Sequence, residues 1–147
     1  MTVRLVATDL DGTALTDDKR VGERTLRALN ACRAQGIFVV VATARGAASA
    51  RRYLDTIKPD AVISCGGSLA RVGERTVYRR LIPAEAADKF ARELTLSPEV
   101  RALTVETDTG YYVSYPDEAA HPDYSHGIYR DFRAPLGEDA YKVVADL

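Results

Sequence analysis

A chain of 147 residues, 46% of them apolar, is long enough for one domain, or one small domain and part of another, with a packed core. A formal net charge of −1 gives no general attraction to nucleic acid or to an anionic membrane, and neither is expected as a partner. Two cysteines without CxxC spacing, no membrane-length apolar run and no apolar leader lead to the expectation of a protein of the reducing cytoplasm.

The elements expected in chain order begin with a short strand, Val3 to Thr8, and a helix, Val21 to Gln35, stopped by Gly36. "IFVVVA", Ile37 to Ala42, is a continuous β-branched and aromatic run of the kind found in strands buried on both faces. A second helix, Ala47 to Ile57, leads to a strand from Asp60 to Ser64. Strand–helix–strand–helix–strand implies right-handed crossovers and a parallel sheet, expected to be covered on both sides. The pattern then changes to a hairpin around "VGE" (Ser68 to Arg71 and Thr76 to Arg80), an amphipathic helix from Pro83 to Thr95, and strands at Ala102 to Glu106, Tyr111 to Tyr115 and Tyr141 to Ala145. The boundary falls near Leu81 to Pro83, giving regions 1–81 and 82–147. Charge divides similarly: residues 1–80 carry 14 Lys and Arg against 8 Asp and Glu, and residues 81–147 carry 6 against 13. A basic half favours an anionic ligand.

Ligands of open parallel sheets bind beyond the carboxyl ends of the strands. The first strand end carries Asp9, Asp11 and Gly12, the second Thr43 and Arg45, and the third Ser64 to Ser68. Two carboxylates one residue apart can divide the roles of nucleophile or metal ligand and of acid/base. A carboxylate there recruits a hard cation such as Mg²⁺, and Gly12 lets the chain turn sharply after the pair. Thr43 offers a hydroxyl and an N–H at a helix start, and Arg45 a charge-assisted fork for phosphate. Together these groups describe phosphoryl transfer. His121 and His126 lack partners at metal-ligand spacing, and Cys65 reads as a buried structural residue.

"DLDGT", Asp9 to Thr13, and "VVVATAR", Val39 to Arg45, resemble the first and second motifs of the haloacid dehalogenase superfamily. "VISCGGSLARVGERTVYRRL" is similar to the segment that leads into the α/β cap of its Cof-type sugar-phosphatase branch, and the cap-like pattern continues through "YYVSY" to "YKVVADL". The resemblance implies a Rossmannoid half-core followed by part of a cap, and Mg²⁺-dependent hydrolysis of a small phosphomonoester through an aspartyl-phosphate. It makes Asp9 the nucleophile and a metal ligand. Asp11 becomes the acid/base, with its backbone carbonyl facing the metal, and Thr43 and Arg45 the phosphate-binding residues. Ala44 stands where the superfamily usually has glycine, and Gly66 where it has asparagine. The superfamily's later lysine and acidic pair are not found: Lys142 sits in a cap-like strand, and Gly137 to Asp139 follows no apolar strand.

The chain is therefore expected to stop inside the cap and to act weakly by itself. An open first strand would drive a homodimer or pairing with a separate second half. A non-catalytic phosphate- or metal-binding fragment and a mutase-like phosphotransferase are the alternatives.

Overall fold

The structure, a computed structural model, describes residues 2–115 and 127–147. Close contacts divide it into two units, Met1–Arg79 and Arg80–Leu147.

In the first unit, β1 (Leu5–Thr8), β2 (Phe38–Ala42) and β3 (Ala61–Ser64) are parallel, and β4 (Leu69–Val72) and β5 (Arg75–Arg79) add an antiparallel hairpin, in the order β1-β2-β3-β4-β5. Helices α1 (Glu23–Ala34) and α2 (Ala47–Ile57) connect the parallel strands. β2 (FVVVA) and β3 (AVIS) form where β-branched residues run together. Each helix begins at a glycine N-cap, Gly22 or Gly46, without a side-chain cap.

Gly36, at φ +72°, turns the chain out of α1, as expected of a glycine just past a helix end. α1 also braces its neighbour: Arg33 Nη2 donates to the carbonyls of Ile57 (2.6 Å) and Lys58 (2.9 Å), which α2 leaves without intrahelical partners.

Both helices pack on one face. Leu29 of α1 and Ala50, Tyr53 and Ile57 of α2 form a single buried cluster with Val39 and Val41 of β2. The expectation of a sheet covered on both sides is thus corrected. Two right-handed crossovers that step in the same direction along a sheet place their helices on the same side. The other face buries Val40 at its centre but leaves Leu5, Phe38, Ile63, Val72 and Tyr78 exposed at 37–52%, with Leu5 and Phe38 directly paired across β1 and β2. β1 is an edge strand.

In the second unit, β6 (Ala102–Thr107) lies between β7 (Tyr111–Val113) and β9 (Ala140–Asp146), antiparallel to both, and β8 (Ile128–Tyr129) extends β7 in parallel. Helix α3 (Ala84–Thr95) sets the small residues Ala87 and Ala91 on Leu103, Val105, Phe132 and Ala140. Asp139 Oδ1 accepts from Ala84 N–H at the first turn of α3. Glu138 accepts from the hydroxyls of Thr107 (2.8 Å) and Thr109 (2.5 Å). The acidic pair after Gly137 therefore fastens the cap-like fold together. Lys142 lies in β9, with Nζ 3.8 Å from a Glu106 oxygen. None of the described helices is long and apolar enough to cross a membrane.

Leu10, fully buried just past β1, pins the strand end to the α1/α2 side of the sheet. Leu10→Ala is expected to cost about 2–5 kcal/mol of unfolding free energy, read from the midpoint of a urea denaturation curve.

Candidate active site

The chain leaves β1 through one wide turn, Leu10–Ala14. It is closed by Ala14 N–H donating to the Asp9 carbonyl (3.1 Å) and Leu15 N–H to the Leu10 carbonyl (2.9 Å). Leu10 and Ala14 face the core at 0% and 2% exposure, so Asp9 is exposed and Asp11 half-buried on the opposite side. Apolar anchors on either side of a carboxylate are what hold an acidic pair at a surface. Gly12 takes φ +72°, ψ 2°, where a side chain would be strained, and completes the reversal. The Asp9 carboxylate accepts from the following Leu10 N–H at 2.7 Å.

The second strand end meets the first through one ion pair. Arg45 Nε donates to Asp11 Oδ2 (2.6 Å) and Nη2 to Oδ1 (2.9 Å), a two-pronged contact between residues 34 apart. The arginine side chain is only 11% exposed, and its guanidinium lies 5.3 Å from the Tyr53 ring centre. Lys19 Nζ adds a third hydrogen bond to Asp11 Oδ1, at 2.7 Å. The guanidinium bonds from Arg45, aided by those of Lys19 and opposed by partial burial, hold the Asp11 carboxyl far below the usual carboxylate range.

Thr43 is buried, and its hydroxyl oxygen accepts from Arg45 N–H at 3.1 Å. Its own N–H donates to the Ile63 carbonyl (2.8 Å), and α2 starts only after Gly46. The expectation that Thr43 offers a free N–H at a helix start is corrected: the β2–β3 ladder continues through it. The third strand end joins by backbone bonds, with Cys65 N–H on the Arg45 carbonyl (2.9 Å) and Gly66 N–H on the Thr43 carbonyl (3.3 Å). Cys65 is buried, as expected.

Asp11, Gly12, Thr43 and Arg45 thus share one edge with Asp9, at the carboxyl ends of adjacent parallel strands. His121 and His126 lie outside the described residues. No group of three or more His, Cys, Asp or Glu able to hold a metal ion occurs among the described residues. Two contributors were missed in the sequence. Tyr53 stacks near Arg45, and a helical tyrosine gives no signal beyond packing. Lys19 returns to Asp11 from the turn "TDDKR", and the polar turn composition marks the reversal but not its destination.

A sequence profile for haloacid dehalogenase-like hydrolases matches residues 6–146. A protein named as a phosphatase in Streptococcus pyogenes serotype M6 is 39% identical over 113 residues, covering 72% of this chain and 42% of that protein. The 5-amino-6-(5-phospho-D-ribitylamino)uracil phosphatase of Bacillus subtilis is 26% identical over 148 residues, covering 95% of this chain and 54% of that protein. Among solved structures, a subclass IIB sugar phosphatase superposes with TM-score 0.77 at 21% identity, covering 94% of this chain and 56% of the other. The chain spans about half or less of the length of the curated relatives it matches.

Replacing Arg45 with Met removes the largest force on Asp11, so its carboxyl is expected to titrate nearer the ordinary value of about 3.9. Carbon-13 NMR of the Asp11 carboxyl checks this. Because the native value is lowered, the ion pair stabilises the fold above the ordinary carboxylate range. That contribution fades as the pH falls through the lowered native value.

Proposed function

The chain belongs to the haloacid dehalogenase-like hydrolase family, and from that premise we propose that it carries the nucleophile, the acid/base and the phosphate-binding residues of an enzyme that hydrolyses a small phosphomonoester. The observation carrying this reading is the single edge that holds Asp9 and Asp11 beside Thr43 and Arg45, tied by the Asp11–Arg45 pair. A sugar phosphate is the substrate class we favour. The similar proteins are named for a phosphorylated ribityl compound and, in the solved structure, for sugar phosphates.

The donor set suits Mg²⁺ completed by water and substrate. Such an ion takes one or two carboxylates and keeps several waters. Asp9 is exposed, while the Asp11 side chain is engaged by Arg45 and Lys19. Asp9 and the Asp11 backbone carbonyl would hold the ion, which when bound neutralises charge on the phosphoryl oxygens.

An Asp9 carboxylate oxygen attacks phosphorus, the bond to the ester oxygen breaks, and Asp11 gives that oxygen a proton. In the second half, Asp11 as carboxylate takes a proton from water, whose oxygen attacks the aspartyl-phosphate and releases phosphate. The hydrogen bonds from Arg45 and Lys19 favour the Asp11 carboxylate, the form that the second half uses. Donating a proton in the first half requires it to loosen its grip on Arg45 and Lys19. Thr43 and Arg45 position and neutralise the moving phosphoryl group. Asp9→Asn keeps the shape and removes the nucleophile, so phosphomonoester turnover is expected to fall by at least about three orders of magnitude with the melting temperature unchanged. Near-wild-type turnover in that variant would rule the assignment out.

An assembly role is favoured separately by the open β1 edge and the exposed face of Leu5, Phe38 and Ile63. β5, at the other edge, carries Arg75 and Arg79, but beside β1 only Arg4 guards the end. Charged edges resist pairing and apolar ones invite it. Sedimentation at micromolar concentration is expected to show a dimer of this chain, and a complex when a polypeptide with the remaining length of its relatives is added. A stable monomer under both conditions contradicts that reading.

A further inference from the structure

A cleft of about 470 Å³ opens within the first unit between α2 and strands β3 and β4, and none of the residues assigned above lines it. That volume is in the range of small-molecule sites. Side chains alternate along a strand. Ile63 therefore lies on the open face, while Val62 and Ser64 turn to the α2 face, each beside its β4 partner, Arg71 or Leu69. Val62 and Leu69 join Leu54 of α2 as the apolar lining. α2 connects two parallel strands and so runs back along β3. Ser64 accordingly stands at one end of the cleft, with Arg51 further along and Asp55 beyond it.

The polar side chains of this cleft divide into two that are matched and three that are not. Arg71 and Glu74 engage each other: Arg71 Nη2 donates to the Glu74 carbonyl (3.1 Å) and to its Oε2 (3.4 Å). Ser64 is only 4% exposed, yet its hydroxyl makes no hydrogen bond among the described residues. A buried hydroxyl left in that state carries the cost of its lost hydration, and buried polar groups are nearly always matched. Arg51 and Asp55 stand one helical turn apart on α2. They form no ion pair or hydrogen bond with each other or with any other described residue.

These three groups select a chemistry. The two unmatched charges are of opposite sign, so the cleft favours neither a net anion nor a net cation. A zwitterion answers both, with a carboxylate for the guanidinium and an ammonium for the carboxylate. The apolar lining calls for an apolar body, and Ser64 for a hydrogen-bonding group at its far end.

We propose that this cleft is a binding site for an α-amino acid whose apolar side chain ends in a hydrogen-bonding group, as in tyrosine. The α-carboxylate meets Arg51, the ammonium meets Asp55, the ring lies on Leu54, Val62 and Leu69, and the phenol meets the Ser64 hydroxyl. The assignment is independent of the phosphatase reading and uses none of its residues.

The test is a titration with L-tyrosine, read from the methyl resonances of Leu54, Val62 and Leu69 by NMR. A ligand of this size is expected to bind with a Kd of about 1 mM or below. Phenylalanine lacks the phenol, tyramine the carboxylate, and 3-(4-hydroxyphenyl)propionate the ammonium. Each should bind at least about threefold more weakly than tyrosine. Each preference should then vanish in one variant: that over phenylalanine in Ser64→Ala, that over tyramine in Arg51→Met, and that over the propionate in Asp55→Asn. The fold of each variant is checked by its melting temperature, expected to be unchanged for the two exposed helix positions. The absence of methyl shifts in the wild type at saturating L-tyrosine, or preferences that survive in the folded variants, would overturn the proposal.

Discussion

The two-pronged contact between Asp11 and Arg45 is the constraint on which the site depends. It joins the turn after β1 to the turn after β2, and the β2 turn is in turn joined to the β3 turn by the Cys65 and Gly66 amides. Without it, the wide Leu10–Ala14 turn would keep its own backbone bonds and apolar anchors but lose its side-chain tie to the turn that carries Thr43. Arg45 in turn is set against Tyr53 and largely removed from water. A guanidinium so placed needs a carboxylate to offset its desolvation, so the pairing supports both residues. The same contact lowers the pKa of Asp11 and so favours its carboxylate form.

The fold divides its two faces between different tasks. The face that carries Val39 and Val41 is closed by α1 and α2, which makes the strand ends rigid. The opposite face buries Val40 and leaves Leu5, Phe38 and Ile63 exposed. An apolar surface of this extent on a parallel sheet is normally covered by helices. The site edge and the uncovered face belong to the same three strands, so any chain that covers the face also stiffens the strand ends that bear Asp9 and Thr43.

Much of the first unit was legible in the sequence because its signals are local. β-branched runs marked β2 and β3, Gly36 marked the end of α1, and the boundaries of α2 were read without error from Ala47 to Ile57. The candidate edge was legible because two carboxylates after a strand, followed by glycine, have few structural uses. What was missed depends on topology or on distant contacts. The side on which α1 and α2 pack follows from strand order, which composition does not reveal. Thr43 lost its expected helix-start N–H because the β2–β3 ladder runs one residue further. Lys19 reaches Asp11 only because a tight turn takes an uncommon backbone angle, and no spacing rule encodes that. In the second unit, Glu138 and Asp139 show how an acidic pair can serve hydrogen bonding and capping instead of a metal. The parallel β7–β8 pairing had no sequence signal.

The central claim, that the edge held by Asp11 and Arg45 presents Asp9 as a nucleophile to phosphorus, is most directly tested by trapping the covalent adduct. The protein is incubated with a small phosphomonoester and Mg²⁺, quenched in acid and reduced with borohydride, which converts an aspartyl-phosphate to homoserine. Peptide mass spectrometry then locates the change. The account predicts homoserine at position 9 and an unmodified Asp11. Homoserine at position 11, or hydrolysis of the ester with no modified aspartate at any point in the reaction, would contradict it.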